Sequence, residues 1–289
     1  PTVRSGRGAP IGDGLFFFCS CFTLFLGRTD NFPNWYKRRI NRIYPTIIMW
    51  ALLSSLFFYW NWYVEELIIP PRYWFVPCIM VYYVIFYIIR TFFMNHLKWV
   101  FTIFFVVIAL SSIWLLYYTK SVMYADVSFM RVYYFLFMLL GAMTAISKRK
   151  ERTPLRAGVY TIISVGLYYV CMGSYKLDST LCRFQLISLM PLLSTIYWLF
   201  VFCDAAKVAR IFDKSWMGRP VYFISTLTLE VYMVQYALFT DRFNDIFPWN
   251  ILLTYIVIFL IAYFLKCSSN LFSLLFKEDR ITWEKVCQV

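Results

Sequence analysis

Charged residues are scarce in this sequence. Only 15% of its 289 residues are Asp, Glu, Lys or Arg, whereas 61% are hydrophobic and 22% are aromatic. Soluble globular domains contain roughly a quarter charged residues. The composition therefore excludes an ordinary soluble domain and indicates a polytopic membrane protein.

Polar stretches long enough for a second domain are also lacking. A membrane span takes about 20 mainly apolar residues, and the chain offers that length repeatedly between short breaks. Nine candidate spans follow, of which the first is short: Ile11 to Leu26, Pro45 to Val64, Tyr73 to Ile89, Trp99 to Tyr118, Val127 to Ser147, Ala157 to Ser174, Phe184 to Phe202, Val221 to Phe239 and Ile251 to Phe276. The sequence predicts an all-α integral membrane helix bundle, with one transmembrane domain over residues 1–289 and no soluble domain.

Metal-ligand patterns are missing. The chain has one histidine, His96, and its eight cysteines form no CxxC pair. Zinc sites need four ligands of these types at short spacings. We expect no metal site.

Acidic residues are outnumbered by basic ones, 15 to 28, which gives a formal net charge of +13. Most of the basic residues fall in alternate connections, the ones that follow the first, third, fifth, seventh and ninth spans. This alternation is unlike a nucleic-acid surface, and under the positive-inside rule it places these connections in the cytoplasm. The sequence thus predicts a multi-pass protein of the cell membrane, in the first instance a bacterial inner membrane, with a cytoplasmic C-terminus.

The same rule leaves the N-terminus outside, although Pro1 is not methionine and no signal peptide precedes the first span. We therefore expect that an upstream helix is missing from the chain, which would bring the number of spans to ten.

Two ionisable residues lie inside predicted spans, where charges are costly and usually have a purpose. Glu230 is nearly central in its span, and Arg131 lies one turn into another. We expect structural roles for both, with Glu230 paired to a cation or a hydroxyl on a neighbouring helix. On one continuous helix, four polar residues near Glu230 would form a stripe on a different face and are candidates for lining a cavity: Ser225, Thr228, Tyr232 and Gln235.

The segment "KRRINRIYP", residues 37–45, concentrates positive charge directly before an uncharged run that extends to Val64. Arg38 and Arg42 are four positions apart and would share a helical face, while Arg39 and Arg42 are three apart. The cluster is at least a topology signal, and contact with anionic lipid headgroups is an alternative role.

Two motifs, "GLFFFCSCFTLFL" (14–26) and "RRINR" (38–42), resemble the acyltransferase 3 family of membrane proteins. The first is similar to the family's second helix, with Cys21 in place of a glycine, and the second carries its Arg-x-x-Arg element at Arg39 and Arg42. "YWFVPCIMVYYVIFYII" (73–89), "YYFLFMLLGAM" (133–143) and "ISTLTLEVYMVQ" (224–235) resemble later helices in the family's order, with Gln235 where many relatives have a histidine.

The resemblance implies transfer of an acyl group, commonly acetyl, from cytoplasmic acyl-CoA to a hydroxyl of a sugar, glycolipid or other cell-envelope acceptor. Arg39, Arg42 and Arg38 would then bind phosphates of the coenzyme, since a guanidinium group can make two charge-assisted hydrogen bonds to one phosphate. The family's catalytic histidine lies on its first helix, which we expect upstream of Pro1. No catalytic residue is assigned within the chain, and the chain as given is expected to be inactive.

Two other classes share these features. A transporter or exporter of envelope glycans or lipids would also have many spans and buried charges, although no internal repeat is evident. A catalytically inactive membrane scaffold would be consistent with the missing histidine. The lipid bilayer is a partner in all three cases.

Overall fold

The computed structural model describes residues 9–28, 30–68, 70, 73–118, 127–147, 153–174, 186–238, 247, 249–276 and 282–288. The regular elements in these ranges are helices: α1 (Ala9–Leu26), α2 (Phe32–Phe58), α3 (Val64–Ile68), α4 (Phe75–Phe92), α5 (Leu97–Tyr118), α6 (Val127–Ile146), α7 (Pro154–Gly173), α8 (Leu189–Asp204), α9 (Ala206–Phe212), α10 (Ser215–Thr226), α11 (Thr228–Leu238), α12 (Trp249–Leu275) and α13 (Trp283–Val286). The protein is an all-α polytopic membrane protein, as the sequence predicts.

The described helices include seven that are long and apolar enough to cross a membrane, or eight if the bent pair α10 and α11 is one span. The first predicted span corresponds to the shorter apolar helix α1. Each of the nine predicted segments therefore contains a helix over its described residues, but the second helix ends at Phe58 and not at the predicted Val64. The first helix is short, and the eighth span is bent. The basic run at residues 148–152 and parts of five other connections lie outside the described residues.

The start of the second span was predicted wrongly. We expected it at Pro45, but α2 begins at Phe32 and contains Pro45 in its interior. Pro33 lies in the first turn, where a proline costs no hydrogen bond, and Phe32 and Tyr36 stack one turn apart with ring centroids separated by 5.5 Å. The basic cluster therefore lies on the helix, as the predicted shared face of Arg38 and Arg42 requires.

The span predicted from Val221 to Phe239 is broken. Helices α10 and α11 meet at Leu227 with a bend of 65°. At the break, the hydroxyls of Ser225, Thr226 and Thr228 each donate to the backbone carbonyl oxygen three residues earlier. Such side-chain bonds compete with the helical backbone pattern, which explains the bend.

The helices fall into two compact units, and the boundaries between them along the chain lie between α1 and α2, within α4 and at the end of α9. The first unit comprises residues 1–29 and 84–211. In it α1 packs along α6, and α7 packs along α8. A Cβ atom added to Gly141 of α6 would lie 3.1 Å from the carbonyl carbon of Phe18 and closer still to its oxygen. The glycine therefore permits close approach of the two backbones.

Arg90, on α4, closes the C-terminal end of α1. Its Nη1 donates to the carbonyl of Leu24 at 2.5 Å, and its Nη2 donates to the carbonyl of Gly27 at 2.7 Å. The last carbonyls of a helix have no partner within the helix and carry partial negative charge. The guanidinium group of Arg90 supplies these carbonyls with hydrogen-bond donors and with a positive charge.

The second unit comprises residues 30–83 and 212–289, and its centre is formed by α2, α11 and α12. Trp50 donates to the hydroxyl of Tyr73 at 2.6 Å, and that hydroxyl donates to the carbonyl of Met233 at 3.1 Å. Both aromatic side chains are buried. This chain of hydrogen bonds joins α2 to α11.

The predicted orientation gives a testable result at the C-terminus. Cys287 is exposed, so in a variant with the other seven cysteines replaced, an impermeant thiol reagent should label it only after the cells are permeabilised. The control is Tyr63→Cys in the same background with Cys287 also replaced. Tyr63 is exposed and follows the C-terminal end of α2, which is the end opposite the basic cluster. The control variant should react in intact cells, and the reverse labelling pattern would invert the predicted topology.

Candidate functional site

The basic cluster occupies the N-terminal part of α2. Lys37, Arg38 and Arg42 are exposed, whereas Arg39 is half-buried. Because the segment is helical, Arg39 and Arg42 lie one turn apart, as the predicted phosphate clamp requires.

Arg39 is held against Trp35, which is fully buried one turn earlier. Its Nη1 donates to the carbonyl oxygen of Trp35 at 2.9 Å, and its Cζ lies 4.2 Å from the centroid of the indole ring. A cation over an indole face is attracted by the ring quadrupole. The guanidinium plane is thereby given a defined orientation.

The two other arginines differ in their contacts. Arg38 pairs with Asp30, with 2.6 Å between Nη1 and Oδ2, and both side chains are nearly half exposed. An exposed pair of this kind contributes about 0–1 kcal/mol. Arg42 makes no hydrogen bond or ion pair with the described residues, so among them its guanidinium donors are available to a ligand.

A buried polar network lies on the same helix one turn after Arg42. The hydroxyl of Thr46 donates to Oε1 of Glu230 at 3.2 Å and lies 3.3 Å from the hydroxyl of Ser269. Nζ of Lys266 also lies 3.2 Å from Oε1 of Glu230. The network connects α2, α11 and α12.

Glu230 thus has the cation and the hydroxyl partner that the sequence predicts. Its side chain is 1% exposed, while that of Lys266 is 25% exposed. Its second oxygen, Oε2, has no hydrogen-bond partner among the described residues. Buried charges are stabilised only when they are paired, so the lysine and the threonine hydroxyl are what make this carboxylate tolerable.

Lys266 was not predicted to take part in any site. The sequence nevertheless carries a signal, because Lys266 interrupts the last apolar run between Ile251 and Phe276. A lysine inside a span normally has a partner or reaches the interface. Glu230 is the ionisable residue that meets it.

The predicted polar stripe does not form one row on one helix. The break at Leu227 puts Ser225 on α10 and Thr228, Tyr232 and Gln235 on α11. Ser225 and Thr228 are exposed, and their hydroxyls bond to backbone carbonyls. Their predicted role in lining a cavity stays a prediction.

Tyr232 belongs to an aromatic group in the second unit. Its ring lies 5.4 Å from that of Phe75 and 5.5 Å from that of Tyr236. Gln235, one turn after Val231, is half-buried. These two residues are the members of the predicted stripe that reach into the interior of the unit.

The remaining predicted residue, Arg131, lies in the first unit, as does His96, to which the sequence assigns no role. Arg131 is exposed one turn into α6, and His96 is exposed in the short 3-10 turn Met94–His96. Neither is brought into the network around Glu230. Within the described ranges, no group of three or more His, Cys, Asp or Glu side chains is placed to hold a metal ion.

Comparison with known proteins identifies one family. The family model for an acyltransferase domain, acyltransferase 3, matches residues 3–267 of this chain. No curated protein and no solved structure matches the chain.

Proposed function

The chain belongs to the acyltransferase 3 family, and from this premise we propose that it transfers an acyl group, in the first instance acetyl, from acyl-CoA to a hydroxyl of a carbohydrate or glycolipid acceptor of the cell envelope. In this reaction the acceptor oxygen attacks the thioester carbonyl carbon. A carbon–oxygen bond forms, the carbon–sulfur bond breaks, and the proton of the hydroxyl passes through a general base to the departing thiolate of coenzyme A.

The basic face of α2 carries this proposal. Arg42 makes no hydrogen bond or ion pair with the described residues, and Arg39 is oriented by Trp35 one turn earlier. Coenzyme A carries several phosphate groups, and arginine offers a planar pair of donors that matches phosphate oxygens. Arg42 and Arg39 are therefore proposed as the principal donor contacts, with Arg38 beside them once its exposed pair with Asp30 opens.

The buried network below the cluster supports a positioning role for α2. Thr46 is one turn from Arg42 and is bonded to Glu230, which is bonded to Lys266. These contacts fix the rotation of α2 relative to α11 and α12 within the second unit. They would keep the arginines on a constant face while the donor binds.

Replacement of Arg39 and Arg42 together by lysine tests the donor site. Hydrogen bonds to charged groups contribute about 1.5–3 kcal/mol, so we expect acetyl-CoA to bind about tenfold to hundredfold more weakly by calorimetric titration. Membrane orientation should not change, because lysine supplies the same positive charge. Arg219→Lys, at an exposed position on α10, is the matched control and should bind as the parent does. Equal donor affinity of the parent and the double variant would refute the phosphate role.

Transport of an envelope glycan or lipid is the second candidate function, because the break between α10 and α11 is of a kind found in transporters. The two functions differ in covalent outcome. Incubation of the membrane-embedded protein with acetyl-CoA labelled in the acetyl group should give labelled acceptor if the protein is an acyltransferase. Movement of unlabelled acceptor across the membrane without labelling would favour transport.

A further inference from the structure

The first unit contains a large cavity that the proposed function does not use. Its volume is about 1060 Å³, and its wall is formed by the ends of α1, α6 and α8, the starts of α5 and α7, and α9. Small-molecule sites usually measure roughly 300–1,000 Å³. The cavity therefore has room for a molecule much larger than a phosphate ion.

The polar side of the cavity is positive. Among the described residues, three cations, Lys98, Lys207 and Arg210, line it together with one carboxylate, Asp204. Lys98 and Lys207 form no ion pair with described residues, and Nε of Arg210 donates to the carbonyl of Ala206 on its own helix at 3.2 Å. Three cations against one anion leave an excess of two positive charges, which favours an anionic ligand.

The hydroxyl groups that line the cavity differ in their hydrogen bonds. Thr144 and Ser147 donate to the carbonyls of Leu140 and Met143. Thr153, which precedes α7 and also lines the cavity, makes no capping bond with its side chain. Its hydroxyl therefore adds a donor beside the cations, where the partial positive charge at the start of a 20-residue helix acts in the same direction.

Other parts of the cavity lining are apolar. Phe22 of α1, Met143 of α6 and Phe200 of α8 line it. The rings of Phe22 and Phe200 pack together with 4.8 Å between their centroids, and Phe18 packs against Phe200 at 5.0 Å. Such a surface binds hydrocarbon and offers nothing to a hydrophilic ion.

The lining residues come from connections with one predicted location. The segments after the third, fifth and seventh predicted spans were each assigned to the cytoplasm by their basic residues, and the structure gathers residues of all three around this cavity. The site is thus at one end of the helices of the first unit, where a bilayer meets water.

We propose that this cavity binds a phosphate-bearing amphiphile, with the phosphate on Lys98, Lys207 and Arg210 and the hydrocarbon on Phe22, Met143 and Phe200. Two sources have this chemistry, an anionic phospholipid of the bilayer and a soluble acyl-CoA. The proposal does not depend on the acyl-transfer reaction, because it concerns binding alone.

The test measures binding of dioctanoyl phosphatidylglycerol to the purified full chain, with dioctanoyl phosphatidylcholine and the tail-less glycerol 3-phosphate as comparison probes. Each basic residue near an anionic headgroup contributes about a fivefold factor. We therefore expect the triple variant K98Q/K207Q/R210Q to bind phosphatidylglycerol about tenfold to hundredfold more weakly than the parent. All three residues are exposed, and Lys207→Gln alone serves if the triple variant is obtained in low yield.

Arg156→Gln is the matched control, because Arg156 is exposed in the first turn of α7 but does not line the cavity. It should bind phosphatidylglycerol as the parent does. An equal loss in this control and in the triple variant would indicate general surface charge and would overturn the proposal. Unchanged binding by the triple variant would overturn it as well.

Two further measurements test whether the hydrocarbon contributes to binding and whether the ligand is a bilayer lipid or a soluble acyl-CoA. Glycerol 3-phosphate that binds as tightly as the lipid would remove the role of the apolar wall and overturn the proposal. Octanoyl-CoA that displaces the lipid from the parent, and binds the triple variant more weakly, would identify a soluble acyl-CoA as the occupant. Failure of octanoyl-CoA to displace the lipid would identify the bilayer as the source. The R39K/R42K variant should retain lipid binding, which separates this result from the donor test.

Discussion

Replacement of Lys266 by methionine is expected to lower the free energy of unfolding by about 3–5 kcal/mol, which is the usual cost of leaving a buried charge without its partner. The charge left behind is Glu230, which is 1% exposed and pairs with Lys266 at 3.2 Å. Thr46 still donates to one carboxylate oxygen, but one neutral hydrogen bond does not replace a cation. Unfolding of the detergent-solubilised protein by increasing SDS measures the loss.

The double replacement K266M/E230L should recover most of that loss. Removal of both members of a buried pair is often neutral or stabilising, since neither charge then has to leave water. The coupling between the two sites, obtained from the single and double variants, should therefore be large and favourable to the native pair. Glu230→Gln should cost less than K266M, because Lys266 retains a quarter of its surface exposure. Lys214→Met, at an exposed position before α10, is the matched control, and a K266M variant no less stable than this control would contradict the role of the pair.

Gly141→Leu is the second change with a large expected effect, at about 3 kcal/mol, the upper end of the usual cost of overpacking. The side chain would be directed at the backbone of Phe18, and an added Cβ would already be 3.2 Å from the nitrogen of Phe22. Backbone atoms cannot move aside as a flexible side chain can, so α1 and α6 would have to separate. Thermal unfolding of the purified protein should show a lower midpoint.

Gly166→Leu provides the control for Gly141. Gly166 lies on α7 in the same unit, and no atom lies within 4 Å of a Cβ added there. Leucine has a higher helix propensity than glycine, so this change should leave the unfolding midpoint unchanged or raise it. If the two leucine variants unfolded alike, close approach at Gly141 would not be what holds α1 against α6.

The positions of most spans could be predicted from the sequence because apolar length alone determines them. The limits of α5, α6 and α12 differ from the predicted ones by only one or two residues. The start of α2 could not be predicted in this way, because the uncharged run begins only after the four cations. What makes that segment helical is local, the contacts of Arg39 with Trp35 and of Phe32 with Tyr36.

The candidate site was only partly predictable for a different reason. The arginine pair is visible as a motif because its members are three positions apart, and Glu230 is visible because charge is rare in a span. Lys266 is 36 positions from Glu230, and nothing in the intervening sequence specifies that the two meet. The bend at Leu227 likewise depends on which carbonyls three hydroxyls select, which the spacing of the residues leaves open. The cavity of the first unit is lined by side chains from six helices, so no single sequence motif predicts it.

The pairing of α1 with α6 has a consequence for biogenesis. Phe18 and Gly141 meet in the native structure, yet more than a hundred residues separate them along the chain. At about 5–20 residues per second, a ribosome needs on the order of ten seconds to synthesise α6 after α1 has entered the membrane. During that interval α1 must wait beside lipid, the insertion machinery or a chaperone without its native neighbour. Quality control of this protein is therefore expected to act on nascent chains that have not yet reached residue 146.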